Sequence, residues 1–456
     1  MSRQDPMPVA DRHERPTAPR GAAHPPFWEA LRFWLKLGFI SFGGPTGQIA
    51  IMHEELVTRK RWISESRFLH ALNYCMLLPG PEAQQLAIYV GWLLHRTAGG
   101  ILAGALFVIP SIFILWGLSY VYVTFGAISW VAAIFYGLKP AVTAIVAAAV
   151  IRIGSRALKT AAMWIAAAAA FVGIFFLKLP FPLIILGAGV VGLLGGLVRR
   201  DQFLVIRPHG SGDGTGDAVL ADADAAPFHA RPSPARALRV STVCLALWWA
   251  PVLALALWLG RAGTPVQEAI FFSKAALVTF GGAYAVLPYV AQQAVEHYGW
   301  LSTPQMVDGL GLAETTPGPL IMVVQFVGFL GAWHHPGNLP PLVASTLGAL
   351  ITTWVTFLPS FLWIFLGAPY IERLRGNERL TTALSAITAA VVGVVLNLAV
   401  WFGVHVLRPP GGGLDPFAVA IALITFVGLV RWRWEIVYVV IGSGLAGLVF
   451  HTFLAG

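Results

Sequence analysis

Two short motifs rich in glycine and proline interrupt apolar stretches of this chain, and each of them occurs twice. Phe42-Gly43-Gly44 recurs as Phe280-Gly281-Gly282, and Pro79-Gly80-Pro81 recurs as Pro317-Gly318-Pro319, at the same interval along the chain. Proline removes a backbone donor and glycine adopts conformations closed to other residues, so each motif predicts the end of one helix and the start of another. The first N–H groups of the new helix lack partners within it and lie at the positive end of its dipole.

Four such breaks, if they converged, would form a site for a small anion, built mainly from backbone donors. Packing kinks are the alternative, and they suit a single break better than four breaks in register. Neighbouring side chains can add donors, because hydroxyl and amide groups bind oxyanion oxygens. The predicted anion-binding residues are Lys36, Ser41, Gly43, Gly44, Gln48, Asn73, Gly80, Glu82, Gln84, Gln85, Lys274, Thr279, Gly281, Gly282, Thr315, Thr316 and Gly318.

Four charged residues near the breaks need a separate argument. Lys36 and Lys274 each precede a Phe-Gly-Gly motif by six residues and are candidates for the charge that balances the anion. The alternative is that both lysines snorkel to the membrane interface. Glu82 and Glu314 lie in apolar segments, where an ionised carboxylate is costly, so we predict that both act in coupling to protons. For Glu82 the alternative is a structural role, because a carboxylate is favoured in the first turn of a helix.

The composition indicates a membrane protein. Of the 456 residues, 57% are hydrophobic and 11% are charged, and the mean hydropathy is +0.73. Uncharged, mostly apolar runs of about twenty residues recur, and each is long enough to cross a hydrocarbon core of about 30 Å. The net charge of +9 comes largely from basic residues that flank these runs, a pattern of membrane orientation and not of nucleic-acid binding. We therefore predict an all-α polytopic membrane protein.

The chain is organised as a duplicated unit with polar segments around it. Beyond the breaks the interval between equivalent residues becomes longer, as Pro110-Ser111 and Pro359-Ser360 show. Each copy is expected to contain two broken segments followed by four simple spans. The predicted divisions are a disordered cytoplasmic arm over 1–26, a first repeat over 27–198, a flexible cytoplasmic linker over 199–239, a connecting transmembrane helix over 240–265 and a second repeat over 266–456.

The basic residues predict that the two copies have opposite orientations. Loop 52–68 contains four Lys and Arg residues and its equivalent 291–305 contains none, whereas loop 120–129 contains none and its equivalent 369–379 contains three. Because basic loops remain in the cytoplasm, this reversal predicts inverted-topology repeats. The same rule predicts that both broken segments of each copy are re-entrant hairpins. Full spans kinked at glycine and proline are the alternative, and the charge count alone does not exclude them.

The sequence contains no motif that predicts an enzyme. The phosphate-binding loop GxxxxGK[ST] is absent, which argues against an ATP-driven pump. The histidines lack metal-ligand spacing with either cysteine, and Cys75 and Cys244 both lie in apolar segments, where packing as small hydrophobes is the default. We expect no catalytic residue, no metal and no cofactor.

The residues around the breaks are similar to a known family. The run from Phe42 to Ala50, the Trp62-Ile63-Ser64-Glu65 motif and the run from Leu78 to Ala87 resemble the chromate ion transporters. The second copy, from Thr279 to Gly282 and from Glu314 to Gly318, resembles the second half of their long form. The resemblance implies export of chromate across the bacterial inner membrane, with resistance to chromate as the result, and halves of opposite orientation.

The predicted function is that of a secondary active transporter for a divalent tetrahedral oxyanion, chromate first. Its export would be driven by the membrane potential, by proton exchange or by both. A sulfate or general oxyanion carrier is the alternative, because sulfate has the same shape and charge; an anion channel and a membrane scaffold or sensor without transport are others. The expected partners are chromate and the lipid bilayer, with a homodimer as a candidate assembly, and the N-terminus and linker are expected in the cytoplasm.

Overall fold

The chain is helical throughout the part that the computed structural model describes, residues 24–42, 44–203, 233–370, 378–409 and 412–453, and no strand occurs there. The helices of the first half are α1 Phe27–Ile40, α2 Gly44–His53, α3 Glu65–Leu77, α4 Glu82–Phe125, α5 Ser129–Ala157, α6 Ala161–Phe175, α7 Phe181–Val198 and α8 Arg200–Phe203. Those of the second half are α9 Pro234–Leu259, α10 Thr264–Val278, α11 Ala283–Ala291, α12 Thr303–Thr315, α13 Val323–His334, α14 Pro341–Gly367, α15 Glu378–Leu407, α16 Pro416–Arg431 and α17 Ile436–Phe453.

Seven helices in the described part of the chain are long and apolar enough to cross a membrane, which confirms the prediction of an all-α polytopic membrane protein. They are α4, α5, α7, α9, α14, α15 and α17, and the shorter apolar helices are α6, α13 and α16. The 44 residues of α4 are interrupted at His95 and Arg96, whose backbone angles are not helical. We call residues 82–94 the short arm of α4 and residues 97–125 its long arm.

Elements with the same backbone conformation recur at the interval that separates the sequence motifs. A π-helical segment at Glu54–Arg59 follows α2, and its equivalent at Gln292–His297 follows α11. Helix α12 begins and ends at the positions equivalent to the first and last residues of α3. Helix α10 likewise ends at the position equivalent to the last residue of α1. The broken segments of the two halves therefore share their local structure as well as their sequence motifs.

In each half, the second long helix after the breaks packs against two helices that come later in the other half, at equivalent positions. Helix α5 contacts α16 and α17, and α15 contacts α6 and α7. Glycines bring the backbones together: a Cβ atom at Gly137 would overlap the carbonyl oxygen of Ser443, and one at Gly393 would overlap that of Ala167. The two halves therefore interleave, and we call α5, α6, α7, α15, α16 and α17 the interleaved helices.

Each broken segment of the first half ends where it began. Lys60, after the first broken segment, forms an ion pair of 2.8 Å with Glu29 at the start of α1. At the end of the short arm of α4, a ring nitrogen of His95 lies 3.0 Å from the carbonyl oxygen of Pro25. The 14 residues of α1 extend only about 21 Å. The ends of the segments over 27–60 and 65–95 therefore lie together near the start of α1, and we call these two broken segments the first pair of hairpins.

The same arrangement occurs in the second half. The Thr264 hydroxyl, at the start of α10, donates to the carbonyl oxygen of His335 at 2.7 Å. A ring nitrogen of His334 lies 2.9 Å from the carbonyl oxygen of Trp300, which precedes α12. The start of α10, the loop before α12 and the end of α13 thus lie together, as the base of the second pair of hairpins.

The connecting helix begins earlier in the structure than residue 240, where it was predicted to begin. Helix α9 begins at Pro234, because the Ser233 side chain accepts from the N–H of Arg236 and proline is favoured in the first turn. The short helix α8 also lies within the segment expected as linker over 199–239. Most of the predicted arm over 1–26, residues 204–232 of the linker and Gly43 of the predicted site lie outside the described residues.

Candidate anion site at the paired corners

The breaks of one half are hydrogen-bonded to those of the other half. The backbone N–H of Gly80 donates to the carbonyl oxygen of Thr279 at 2.8 Å, and the N–H of Gly318 donates to that of Ser41 at 2.8 Å. Each Pro-Gly-Pro corner therefore binds the residue that precedes the Phe-Gly-Gly motif of the other copy. We call these two contacts the paired corners. They join the four breaks of the sequence two by two, each Pro-Gly-Pro corner with a Phe-Gly-Gly break of the other copy.

Side chains support the corners from neighbouring helices. The Gln48 amide donates to the carbonyl oxygen of Gly318 at 2.6 Å, and the Gln85 amide donates to that of Pro79 at 2.8 Å. The Ser111 hydroxyl, on the long arm of α4, donates to the carbonyl oxygen of Pro317. Its counterpart Ser360 lies beside the other corner, with its hydroxyl oxygen 3.2 Å from the position that a Cβ atom at Gly80 would take.

The two corner glycines have a conformation that other residues rarely adopt. Gly80 has φ +121° and Gly318 has φ +111°. A Cβ atom at Gly80 would lie 2.8 Å from the Gln85 amide nitrogen, and one at Gly318 would overlap the Ser111 hydroxyl. Both the backbone angle and the space therefore require glycine. Gly44, Gly281 and Gly282 also have positive φ values.

Four helical segments begin at the corners. Helix α2 begins at Gly44, α4 at Glu82 and α11 at Ala283, and a short 3₁₀ segment at Leu320–Met322 leads into α13. The first N–H groups of a helix have no acceptor within that helix, and they lie at the positive end of its dipole. Helix N-termini therefore lie at both corners, and the prediction that they bind an anion through main-chain donors rests on this feature.

The hydroxyl groups predicted to contact the anion are used within their own helices in this conformation. Ser41 donates to the carbonyl oxygen of Leu37 at 2.6 Å, and Thr279 donates to that of Ala275 at 2.6 Å. Thr315 and Thr316 donate to the carbonyl oxygen of Leu312 at 2.8 and 2.7 Å. These side chains satisfy carbonyl groups at helix ends, and their contact with an anion remains a prediction.

The two predicted lysines lie on exposed faces. The Lys36 side chain is 59% exposed and its ammonium group lies 3.5 Å from a carboxylate oxygen of Glu55. Lys274, its counterpart on α10, is also exposed. The structure does not bring either ammonium group to the paired corners, and binding of the anion by these lysines remains a prediction.

The two carboxyl groups predicted for coupling lie close to the corners. A carboxylate oxygen of Glu82 lies 3.7 Å from the position that a Cβ atom at Gly282 would take, so a side chain of the first half faces a break of the second. Glu314 is buried, and its carboxylate accepts from the Tyr284 hydroxyl at 2.6 Å. Arg152 on α5 interacts electrostatically with Glu314.

The remaining predicted amides lie on α3 and α4. Gln84 is buried, and its amide nitrogen approaches the carbonyl oxygen of Gly104 at 3.4 Å. The amide oxygens of Gln84 and Gln85 have no hydrogen-bond partner in the described part of the chain. Asn73 is partly buried on α3.

A polar cluster between the two halves was missing from the predicted site. Lys139 on α5 lies 3.5 Å from Asp308 on α12, and the Tyr122 hydroxyl donates to the same carboxylate oxygen at 2.9 Å. The cluster joins a hairpin of the second half to two helices of the first half. An isolated acid in an apolar run was its signal in the sequence, as the repeated Pro-Ser pair was the signal for Ser111 and Ser360.

The fold defines a polytopic membrane protein whose interrupted helices are hydrogen-bonded between the two halves at the paired corners. A family model described as "Chromate transporter" matches residues 28–193 and again residues 266–448. The chain belongs to this family, and the resemblance seen in the sequence is confirmed. The same family model thus matches each half once.

Relatives with the same description extend over almost the whole chain. The chain is 32% identical over 436 residues to a chromate transport protein of Pseudomonas aeruginosa, with 91% of both chains covered. It is 29% identical over 428 residues to a chromate transport protein of Cupriavidus metallidurans, with 93% of this chain and 94% of the relative covered. No solved structure matches the chain.

Gly318→Ala is expected to destabilise the folded protein by about 2–4 kcal/mol, because it combines overlap with Ser111 and backbone strain. Thermal unfolding in detergent, followed by size-exclusion chromatography, measures the change. Adding Ser111→Gly should restore only part of the stability, because space is regained and the positive φ is not. Gly403→Ala is the matched control, since no atom lies within 4 Å of its new methyl group. A Gly318→Ala protein as stable as this control would contradict the assigned role of the corner.

Proposed function

We propose that this protein is a secondary carrier that exports chromate from the cell. Its membership of the chromate transporter family, with relatives named chromate transport proteins, supports chromate as the substrate. The observation that carries the mechanism is the reciprocal pair of hydrogen bonds from Gly80 to Thr279 and from Gly318 to Ser41. It supports a site to which helix N-termini of both halves contribute, and chromate is a compact dianion that main-chain donors can surround.

The main-chain site suits a carrier because it binds charge without a fixed counter-ion. A tightly paired lysine would bind a dianion strongly and slow its release, whereas partial charges at helix ends attract it more weakly. Discontinuous helices that meet in the membrane are a recurrent design for such sites in secondary transporters. Neither enzymatic chemistry nor a cofactor is part of this proposal, and no cluster of metal-ligating side chains occurs among the described residues.

The membrane potential favours the proposed direction. A charge that leaves a cell with a negative interior releases about 2.3 kcal/mol per 100 mV, so a dianion releases about 4.6 kcal/mol at a potential of about 100 mV. Export therefore needs no ATP. Exchange with protons, through Glu82 and Glu314 beside the corners, would add a second driving force.

We infer that the hairpins move against the interleaved helices during transport. Helices α3, α11 and α12 of the hairpins contact α5, α15 and α17 of the interleaved group. The Lys139–Asp308 ion pair lies across this boundary. Sliding along the boundary would open the corners first to one face and then to the other, which is alternating access around a fixed site.

We propose that both pairs of hairpins are re-entrant and that they enter from opposite faces. The Glu29–Lys60 ion pair and the contact of the His334 ring with the carbonyl oxygen of Trp300 each join the two ends of one broken segment, and they support return to the starting face. The reversed distribution of Lys and Arg between equivalent loops supports inversion. In this topology the N-terminus and the linker lie in the cytoplasm and the chain resides in the bacterial inner membrane.

Everted vesicles that contain the protein should accumulate radiolabelled chromate, and vesicles with Gly80→Leu or Gly318→Leu should not, because leucine fills the corner. Gly403→Leu, at a position with no atom within 4 Å of a new Cβ, is the matched control and should transport chromate. Excess sulfate separates the substrates: full competition indicates a general oxyanion carrier. Uptake no greater than in vesicles from cells without the gene would reject the proposal.

Cysteine labelling should distinguish the inverted topology from a parallel one. Arg59 and His297 are exposed and occupy equivalent positions, and the native Cys75 and Cys244 are buried. A membrane-impermeant maleimide applied to spheroplasts is expected to label His297→Cys, and to label Arg59→Cys only after the membrane is opened. Labelling of both variants from the same side would show that the halves are not inverted.

A further inference from the structure

A carboxyl group without a partner is buried in the second half, away from the paired corners. Glu268, on α10, is 0% exposed, and neither of its carboxyl oxygens has a hydrogen-bond partner in the described part of the chain. One oxygen lies 2.5 Å from the position that a Cβ atom at Gly331 would take, and the other lies 2.6 Å from that position at Gly348. Glycines on α13 and α14 therefore make the space that this carboxyl group occupies.

Among the described residues, no charged group compensates Glu268. Helix α10 packs against α9, α11, α13 and α14, and α14 carries no titratable residue. Neither oxygen of Glu268 is hydrogen-bonded to a titratable residue of α10 or of the other three helices; these residues are Lys274, Arg236, Arg239, Cys244, Tyr284, Tyr289 and His334. An ionised carboxylate in such surroundings would be very costly, whereas a neutral carboxylic acid is tolerated. In this conformation the site therefore holds a proton.

Glu268 differs from the carboxyl groups beside the corners. Glu314 accepts a hydrogen bond from Tyr284 and interacts with Arg152, so it has groups that stabilise its charged form. Glu82 is only partly buried. Glu268 would therefore lose its proton when it becomes exposed to water and regain it on burial. Such a group converts a movement of helices into the binding and release of one proton.

Glu268 lies near one end of α10, close to the base of the second pair of hairpins. It follows Thr264, at the base of the second pair of hairpins, by four residues, or about 6 Å along the helix. The equivalent position in the first half is Ala30, which is buried and has no proton to exchange. At the other end of α10, the carbonyl oxygen of Thr279 accepts from Gly80 at the corner. A shift of α10 would therefore change both the surroundings of the Glu268 carboxyl group and the hydrogen bond at the Gly80 corner.

We propose that Glu268 is a proton-binding site, open to the face at which the second pair of hairpins begins, that couples proton movement to anion transport. The step is the binding of H⁺ by the carboxylate to give the neutral acid on burial, and the reverse reaction on exposure. The inference rests on the proposed carrier function, and it adds a specific coupling residue that is separate from the anion site.

Reconstituted protein tests the coupling with two assays. Chromate–chromate exchange without a pH gradient reports the carrier itself, and net chromate flux driven by a pH gradient reports coupling. Glu268→Gln is expected to retain exchange and to lose the stimulation by the pH gradient. Glu268→Met, which replaces the unpaired polar group by an apolar one of similar size, should behave in the same way. Glu296→Gln, which alters an exposed acid, is the matched control and should retain stimulation.

The outcomes separate the two hypotheses. If the unmodified protein shows no exchange, the carrier function is rejected; if exchange is intact and Glu268→Gln keeps full stimulation, the proton site is rejected. Infrared spectroscopy provides a readout without transport, because a neutral carboxylic acid has a C=O stretching band that a carboxylate lacks. That band should weaken in Glu268→Gln relative to the unmodified protein. An unchanged band would overturn the proposal.

Discussion

The structure depends on the exchange of two main-chain hydrogen bonds between its halves. Each Pro-Gly-Pro corner leaves backbone groups without partners in its own helix, and an unsatisfied polar group in hydrocarbon costs several kcal/mol. The Gly80 and Gly318 N–H groups find their acceptors on Thr279 and Ser41 of the opposite copy. Neither half can therefore satisfy its breaks alone. The interruptions are tolerable only because the duplicated unit is paired with itself.

The rest of the fold follows from this pairing. The interleaving of α5 with α16 and α17, and of α15 with α6 and α7, holds the two halves at the distance that the corners require. Glycines at the helix crossings, such as Gly137 and Gly393, allow the close approach. Amide and hydroxyl side chains donate hydrogen bonds to the carbonyl oxygens of the corners, as Gln48 does to Gly318. The helix N-termini remain as the main-chain donors that we propose bind the dianion.

Much of this architecture was predictable from the sequence, because the features that determine it are local. Apolar runs report spans, and the repeated Gly and Pro motifs report where helices must stop. The hydroxyls of Ser41 and Thr279 show the limit of prediction from sequence. The sequence identifies each hydroxyl as a donor, but only the structure shows that it donates to the carbonyl oxygen four residues earlier. Glu268 and Asp308 were overlooked because their importance depends on what surrounds them. An acid in an apolar run signals such a residue, but the missing partner of Glu268 and the contact of Asp308 with Lys139 are properties of packing between distant segments.

The most direct test is to locate the anion itself. Crystals soaked in chromate and measured at the chromium absorption edge should show an anomalous peak between the Gly80 and Gly318 corners, within hydrogen-bonding distance of the N–H groups that begin α2, α4 and α11. The peak should disappear in Gly318→Leu crystals. A chromium peak remote from both corners, or one that persists unchanged in that variant, would contradict the central claim.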